Sequence, residues 1–179
     1  MIKTKRIAFG AAFTALILLF QLASSFFGSQ LLTGSLVNMV LAISALRLDF
    51  RSAACVCMIS PAIAFMLGLG PKIPLFIPFI MAANIVFALC VYYAEDCDIK
   101  GLIKQEYARL ILWGFGGAVF KCLMLFLSFR AIIPFFIALN DRQSSAAGAM
   151  FSMTAFVACL VGFALALILR KFIPSLRKG

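Results

Sequence analysis

The chain has 179 residues, of which 65% are hydrophobic and only 12% are charged. Soluble domains are nearer to half apolar and a quarter charged, and a soluble protein of this length has too much surface to hide so many apolar residues. The composition therefore indicates an integral membrane protein. The net charge of +10 does not favour nucleic acid as a partner, because the basic residues stand at the ends of apolar runs and form no patch interleaved with aromatic residues.

The sequence also argues against an enzyme. It has no histidine, which excludes Ser-His-Asp catalysis and zinc sites that need an imidazole. No glycine is followed by lysine, so a phosphate-binding Walker loop is absent. The six cysteines contain no Cys-x-x-Cys pair, and most lie inside apolar runs as small hydrophobic residues. We therefore expect neither catalytic residues nor a metal or cofactor in this chain.

Six apolar runs follow one another along the chain, each close to the length that crosses about 30 Å of hydrocarbon. We predict transmembrane helices over 7–27, 35–48, 52–70, 74–94, 108–129 and 149–169. The first run follows three basic residues, as the core of a signal peptide would, but it is longer than such a core and five more runs follow it. The predicted fold is one transmembrane domain over 1–179, an all-α bundle of six helices.

The basic residues predict the orientation. If the N-terminus is cytoplasmic, the cytoplasmic segments hold twelve of the sixteen Lys and Arg residues, namely Lys3, Lys5, Arg6, Arg47, Arg51, Lys100, Lys104, Arg109, Arg170, Lys171, Arg177 and Lys178. Only Lys72, Arg130 and Arg142 lie on the opposite side. Because cytoplasmic loops carry an excess of Lys and Arg, we predict a multi-pass protein of the bacterial plasma membrane with both termini in the cytoplasm. The external connections are then 28–34, the Pro-containing turn at 70–74, and the long segment 130–148.

Lys121 is the remaining basic residue, and it lies inside the fifth span, ~13 Å below its outer end at 1.5 Å per residue. A buried ammonium group needs a partner or a cavity, and no predicted span carries a carboxylate within the membrane. Two interpretations remain open. The lysine bonds a neighbouring carbonyl or extends toward the interface, or its partner is an anionic or carbonyl-bearing ligand that arrives from outside.

Asn84 supports the second interpretation, because it lies ~15 Å from the outer end of the fourth span, at nearly the depth of Lys121. An amide at this depth either bonds a neighbouring helix or lines a pocket. We predict an outward-facing pocket that contains both residues. The residues expected near its mouth are Gln30, Asn38, Ser152 and Thr154. Helix capping or interhelical bonding is the alternative role for these four.

Small residues recur on the first span as Ala8, Ala11, Ala12 and Ala15. The Ala8/Ala12 and Ala11/Ala15 pairs have the small-xxx-small spacing that lets another helix approach closely. This spacing fits either packing within the bundle or docking of a partner protein, and its position in the cytoplasmic half makes docking the hypothesis of interest.

Several short motifs occur in a recognisable order. They are Ala11/Ala15, Thr33-Gly34-Ser35-Leu36-Val37-Asn38, Ser60-Pro61 with Gly68-Leu69-Gly70-Pro71, Ile77-Pro78-Phe79 with Asn84-Ile85-Val86, Lys121, and Met150-Phe151-Ser152. With six compact spans and cytoplasmic ends, the sequence resembles the substrate-binding S components of energy-coupling factor (ECF) transporters over nearly its whole length. Many members carry a Pro-Gln pair in the last span, where this chain has Ala155-Phe156.

The resemblance implies that the chain captures a vitamin or similar micronutrient from outside. It implies that the chain docks through its first helix onto a transmembrane T subunit. ATP is then hydrolysed by two cytoplasmic ATPase subunits and not by this chain. Toppling of the S component in the membrane lipid then releases the ligand inside. The rival interpretations are a self-sufficient small secondary transporter and a structural membrane subunit. A lipid-processing enzyme is disfavoured by the lack of histidine and of intramembrane acids.

Overall fold

The computed structural model describes residues 2–69, 74–96, 106–132 and 153–173. The described residues are about 90% helical and contain no strand. They form α1 (Ile2–Phe27), α2 (Gln30–Arg47), α3 (Phe50–Met66), α4 (Phe76–Asp96), α5 (Glu106–Leu127) and α6 (Met153–Leu169). A short π-helix, Ser128–Ile132, continues α5.

Three of these helices are long and apolar enough to cross a membrane, over Thr4–Ala23, Phe76–Ala94 and Ala108–Arg130. The other three are apolar but shorter, at 18 residues for α2 and 17 residues each for α3 and α6. These lengths lie at the lower limit of the range for transmembrane helices. The prediction of an all-α fold is therefore confirmed, together with three helices of membrane-spanning character.

Helix α2 lies at the centre of the bundle. It packs most extensively on α6 and also contacts α1, α3 and α4, while α4 packs along α5. Every residue from Asn38 to Leu46 is buried. A helix enclosed by its neighbours needs no wide apolar face toward lipid, and small residues in it let the surrounding backbones approach.

The closest helix contact joins α2 to α6. A Cβ atom added at Gly162 would lie 2.3 Å from the backbone oxygen of Ser35, and one added at Gly34 would lie 3.0 Å from the Cβ of Ala158. Ala158, Gly162 and Ala166 recur at every fourth position of α6 and are all buried, which is the small-xxx-small pattern of closely packed membrane helices. Only residues this small allow the two helices to lie backbone to backbone.

The helices run alternately, so that the bundle has two distinct ends. At one end α1, α3 and α5 begin and α2, α4 and α6 finish. This end contains the Arg6–Asp49 ion pair (3.5 Å) and the hydrogen bond that Arg109 Nε donates to the Ala94 carbonyl (2.8 Å). We call this the basic end, because it also carries Lys5, Arg47, Arg51, Arg170 and Lys171. At the opposite end the rings of Phe76 and Phe129 stack at 6.4 Å.

Several helix boundaries differ from the predicted spans, and the start of α1 is at Ile2 instead of 7. Two of the differences arise from caps. Helix α2 begins at Gln30 instead of 35, because Ser29 caps it by accepting a hydrogen bond from the Leu32 amide. Gly28 has φ +64°, which makes the turn between α1 and α2. Helix α3 ends at Met66, short of the predicted 70, because Gly68 (φ +71°) forms a Schellman cap in which the Leu69 amide bonds the Ala64 carbonyl at 2.8 Å.

The outer surface of the bundle is strongly apolar. Along α5 the exposed side chains are Ile111, Leu112, Phe115, Val119, Phe120, Leu123, Phe126 and Leu127. A continuous apolar face of this extent has no place on a soluble monomer. The buried positions, by contrast, include Asn38, Asn84 and Lys121. Apolar residues outside and polar residues inside are typical of a bundle that contacts lipid.

Candidate functional site

A cavity of about 220 Å³ lies in the half of the bundle away from the basic end, and all six helices contribute to its wall. Its polar lining residues are Gln21, Thr33, Asn38, Ser60, Asn84 and Lys121. Each is in the second half of α1, α3 or α5 or in the first half of α2 or α4. The alternating directions of the helices bring these positions to one level.

Lys121 reaches this cavity because it is on the buried face of α5. Gly114, Gly117, Lys121 and Leu125 are all buried at intervals of three or four residues, so they share one side of the helix. Gly117 lets α5 approach α4, since a Cβ there would lie 2.9 Å from the Cβ of Cys90. The lysine side chain is only 8% exposed, and the close approach of α4 holds its ammonium group among the helices.

Two groups contact the Lys121 ammonium. Its Nζ donates a hydrogen bond to the Asn38 Oδ1 at 2.5 Å, and it lies 5.3 Å from the centroid of the Phe87 ring. An amide oxygen and an aromatic face both stabilise a cation in a dry site. In this structure the partner of Lys121 is the carbonyl oxygen of a side chain, and its contact with a ligand stays a prediction.

Asn38 lies deeper than predicted. The sequence placed it near the mouth of the pocket, whereas its side chain is 6% exposed and meets Lys121 directly. The reason is the earlier start of α2 at Gln30. Asn38 is eight residues from the beginning of α2, a distance of ~12 Å at 1.5 Å per residue. Lys121, in the second half of α5, lies at the same depth in the bundle, so the two side chains meet.

Asn84 lines the same cavity as Lys121 and Asn38. Its backbone carbonyl accepts a bond from the Cys57 Sγ at 3.6 Å, and its side chain is 5% exposed. Within the part of the chain that the structure describes, the Asn84 carboxamide makes no hydrogen bond. It therefore offers a donor and an acceptor to whatever occupies the cavity.

Three polar lining residues were not predicted as site residues. Gln21 brings a carboxamide from α1, and an amide inside an apolar run is a signal that sequence reasoning could have used. Thr33 donates its hydroxyl hydrogen to the Ser29 carbonyl (2.9 Å) and Ser60 donates to the Val56 carbonyl (2.8 Å). These two hydroxyl groups keep lone pairs for the cavity, but their hydrogens are used within their own helices.

Of the other residues predicted for the mouth, the structure describes the side chain of Thr154 alone. Thr154 is exposed in the first turn of α6 and is not part of the lining. The side chain of Gln30, which begins α2, and the whole of Ser152 lie outside the described residues. The last span contributes Ala155 and Ala158 to the wall, so its small residues define the shape of the cavity instead of offering polar contacts.

The alanines of α1 are on the outer surface. Ala8, Ala11, Ala12 and Ala15 are all exposed, whereas Phe13, Thr14 and Ile17 form the buried face of the helix. Ala11 and Ala15 line an apolar groove of about 580 Å³ between α1 and α3 that begins at Arg6 near the basic end. A second groove of about 460 Å³ shares Ala15 and extends the first toward Leu69.

The chemistry of the cavity follows from the groups that line it. Among the described residues, no group of His, Cys, Asp or Glu is placed to hold a metal ion. What the cavity presents is one ammonium group, three carboxamides and an apolar wall. These groups suit reversible binding of a small polar molecule.

Comparison with known proteins gives no relative: no family model, no curated protein and no solved structure matches the chain.

Proposed function

We propose that this chain is the substrate-capture subunit of an ECF-type ATP-driven importer, an S component that binds a vitamin or similar micronutrient from outside the cell. The observation that carries the proposal is the cavity where Lys121, Asn38 and Asn84 meet, in the half of the bundle away from the basic end. A capture subunit needs a binding site that faces the outside. It needs no catalytic group or ATP site of its own.

The proposal includes six transmembrane helices with both ends in the cytoplasm. The three shorter helices are at the lower limit for a span, but α2 is enclosed by its neighbours and does not have to match the full thickness of the lipid. Lys5, Arg6, Arg47, Arg51, Arg109, Arg170 and Lys171 all lie at one end. Under the positive-inside rule that end is cytoplasmic, and the cavity then belongs to the outer half.

Docking onto a T subunit is assigned to the groove between α1 and α3. Ala11 and Ala15 are exposed there and do not contribute to packing within the described bundle. Small side chains along an apolar groove let a helix of a partner protein approach closely in the membrane. We therefore propose that a helix of the T subunit occupies this groove and that two cytoplasmic ATPase subunits complete the importer.

Purification from the membranes of the source bacterium tests the assignment. We expect the full-length tagged chain to carry a T subunit and two ATPases, identified by mass spectrometry, together with ATP hydrolysis. Ala11→Trp and Ala15→Trp fill the groove, and overpacking of ~1–3 kcal/mol lowers the association about ten- to a hundredfold. Leu112→Trp is the matched control, since Leu112 is exposed on α5 at a similar height.

Two outcomes contradict the proposal. If the purified chain alone drives uptake in proteoliposomes with an ion gradient, the secondary-transporter interpretation replaces it. If the ATPases are retained equally by wild type, Ala11→Trp and Leu112→Trp, the docking face lies elsewhere.

A further inference from the structure

We infer that the cavity takes a compact molecule with a single negative charge, a monocarboxylate of about ten non-hydrogen atoms with an apolar body. The inference deepens the proposed function and rests on it, because it assumes that the cavity at Lys121 is the capture site. It rests on three properties of the cavity: its charge, its hydrogen-bonding groups and its volume.

Lys121 makes the charge of the cavity positive, and no carboxylate among the described lining residues balances it. The Lys121 ammonium has three N–H donors, of which Asn38 Oδ1 accepts one, while the Phe87 face contributes only a neutral π contact. Within the described ranges, no Asp or Glu lines the cavity. At an effective dielectric constant of about 20, attraction to an anion is about four times as strong as in water. A cationic ligand is repelled by the same field.

The number of charges follows from the single ammonium group. A carboxylate carries one negative charge and neutralises Lys121, whereas a phosphate monoester carries nearly two at neutral pH and leaves an excess charge buried. The remaining groups suit the two oxygens of a carboxylate. One oxygen accepts from Lys121, and the Asn84 carboxamide, which makes no hydrogen bond among the described residues, supplies an N–H donor for the second.

The rest of the wall sets the size and polarity of the ligand. Val37, Pro61, Ile80, Leu125 and Ala155 present apolar surface to the cavity. An apolar cavity of about 150 Å³ holds benzene, with its six carbon atoms. The volume of about 220 Å³ found here scales to roughly nine or ten non-hydrogen atoms by the same measure. A ring or short branched chain that carries one carboxylate fits these limits.

A binding experiment with matched compounds tests the inference. The detergent-solubilised full-length protein is incubated with a library in which each small carboxylate is paired with its neutral amide, its amine and a phosphate monoester of similar size. Bound compounds are quantified by mass spectrometry after gel filtration. We expect carboxylates to be retained and their amides, amines and phosphate analogues to be lost.

Two variants and one control test whether the charge of Lys121 is responsible for carboxylate binding. Lys121→Met removes the charge and is expected to lower carboxylate affinity about ten- to a hundredfold. Asn38→Asp keeps the lysine but places a carboxylate within hydrogen-bond distance of its Nζ, so it neutralises the site from within and is expected to lose the same ligands while the fold is retained. Leu123→Met is the control, because Leu123 is exposed on the outer face of α5.

Retention of neutral, cationic or doubly charged compounds in preference to carboxylates overturns the inference, and so does carboxylate binding that survives both Lys121→Met and Asn38→Asp. Failure of every carboxylate to bind the wild-type protein also overturns it. In each of these cases, co-purification with the T subunit and the ATPases still tests the proposed function separately.

Discussion

The pairing of Lys121 with Asn38 explains how a lysine is tolerated at membrane depth. Insertion of a lysine at the centre of a helix costs about 2.5–3.5 kcal/mol. The bond to Asn38 Oδ1 and the contact with Phe87 offset part of this cost. The charge itself remains. At the scale of single residues, Lys121 therefore uses one of its three N–H donors on Asn38, and no carboxylate among the described lining residues balances its charge, which is the condition that favours an anionic ligand.

We predict that the stability of the unliganded protein depends on this pair. Asn38→Ala removes the acceptor and leaves the ammonium under-solvated, so the free energy of unfolding is expected to fall by about 1–3 kcal/mol. In a Lys121→Met background the same substitution is expected to cost less, because no ammonium is left to satisfy. Thermal unfolding of the two single variants and the double variant gives the coupling energy. Additive effects contradict a direct interaction between Lys121 and Asn38.

At the scale of helices, the contact between α2 and α6 determines the geometry of the site. Asn38 belongs to the stretch of α2 that faces Gly162, since a Cβ on that glycine would lie 2.9 Å from the Asn38 Cβ. The small residues of α6 thus hold the amide at the depth of Lys121. The predicted interface of small residues was on α1, whereas the close internal packing is on α6.

We predict that Gly162→Ala destabilises the protein and Gly116→Ala does not. The new Cβ at position 162 would lie 2.3 Å from the Ser35 backbone oxygen, so α2 and α6 have to separate. Overpacking of this kind costs about 1–3 kcal/mol. At Gly116 nothing lies within 4 Å of the new atom, and alanine favours the helix. Thermal unfolding of both variants in detergent checks this. Equal transition temperatures contradict the close α2–α6 contact.

At the scale of the whole molecule, the two ends of the bundle differ in chemistry. One end carries most of the described basic residues, and the polar cavity lies in the other half. Around the sides, α5 presents apolar residues alone over several turns. Under the proposed orientation the basic end faces the cytoplasm, since cytoplasmic segments carry an excess of Lys and Arg.

We predict that the turn between α1 and α2 is extracellular and the end of α6 is cytoplasmic. In a background without the native cysteines, Ser29→Cys is expected to react with a membrane-impermeant thiol reagent on intact cells, and Lys171→Cys only after permeabilisation. Both sites flank helices, and Lys171 is exposed. The opposite labelling pattern reverses the orientation. Labelling of both positions on intact cells would require an even number of spans between them, instead of the five helices α2 to α6.

The sequence by itself determined the class of protein and its helical composition. Hydrophobic content, apolar runs and the position of basic residues are local properties, and they predict helices and their ends to within a few residues. The larger exceptions are the start of α1, at Ile2 instead of 7, and two boundaries at caps. Ser29 and Gly68 moved the start of α2 and the end of α3, because a cap depends on the conformation of one or two residues and not on hydrophobicity. Lys121 and Asn84 were also identified from sequence, because polar groups in apolar runs need an explanation.

Only the tertiary structure decided which residues meet. The sequence separation of 83 residues between Asn38 and Lys121 contains no signal of their contact, which depends on the central position of α2 and on the glycines that let α5 and α6 close around it. The exposure of Ala11 and Ala15 was likewise undecided, because small-xxx-small spacing occurs on packed and on free faces alike. Burial is a property of the assembled bundle, and pairwise contacts between distant helices follow from it.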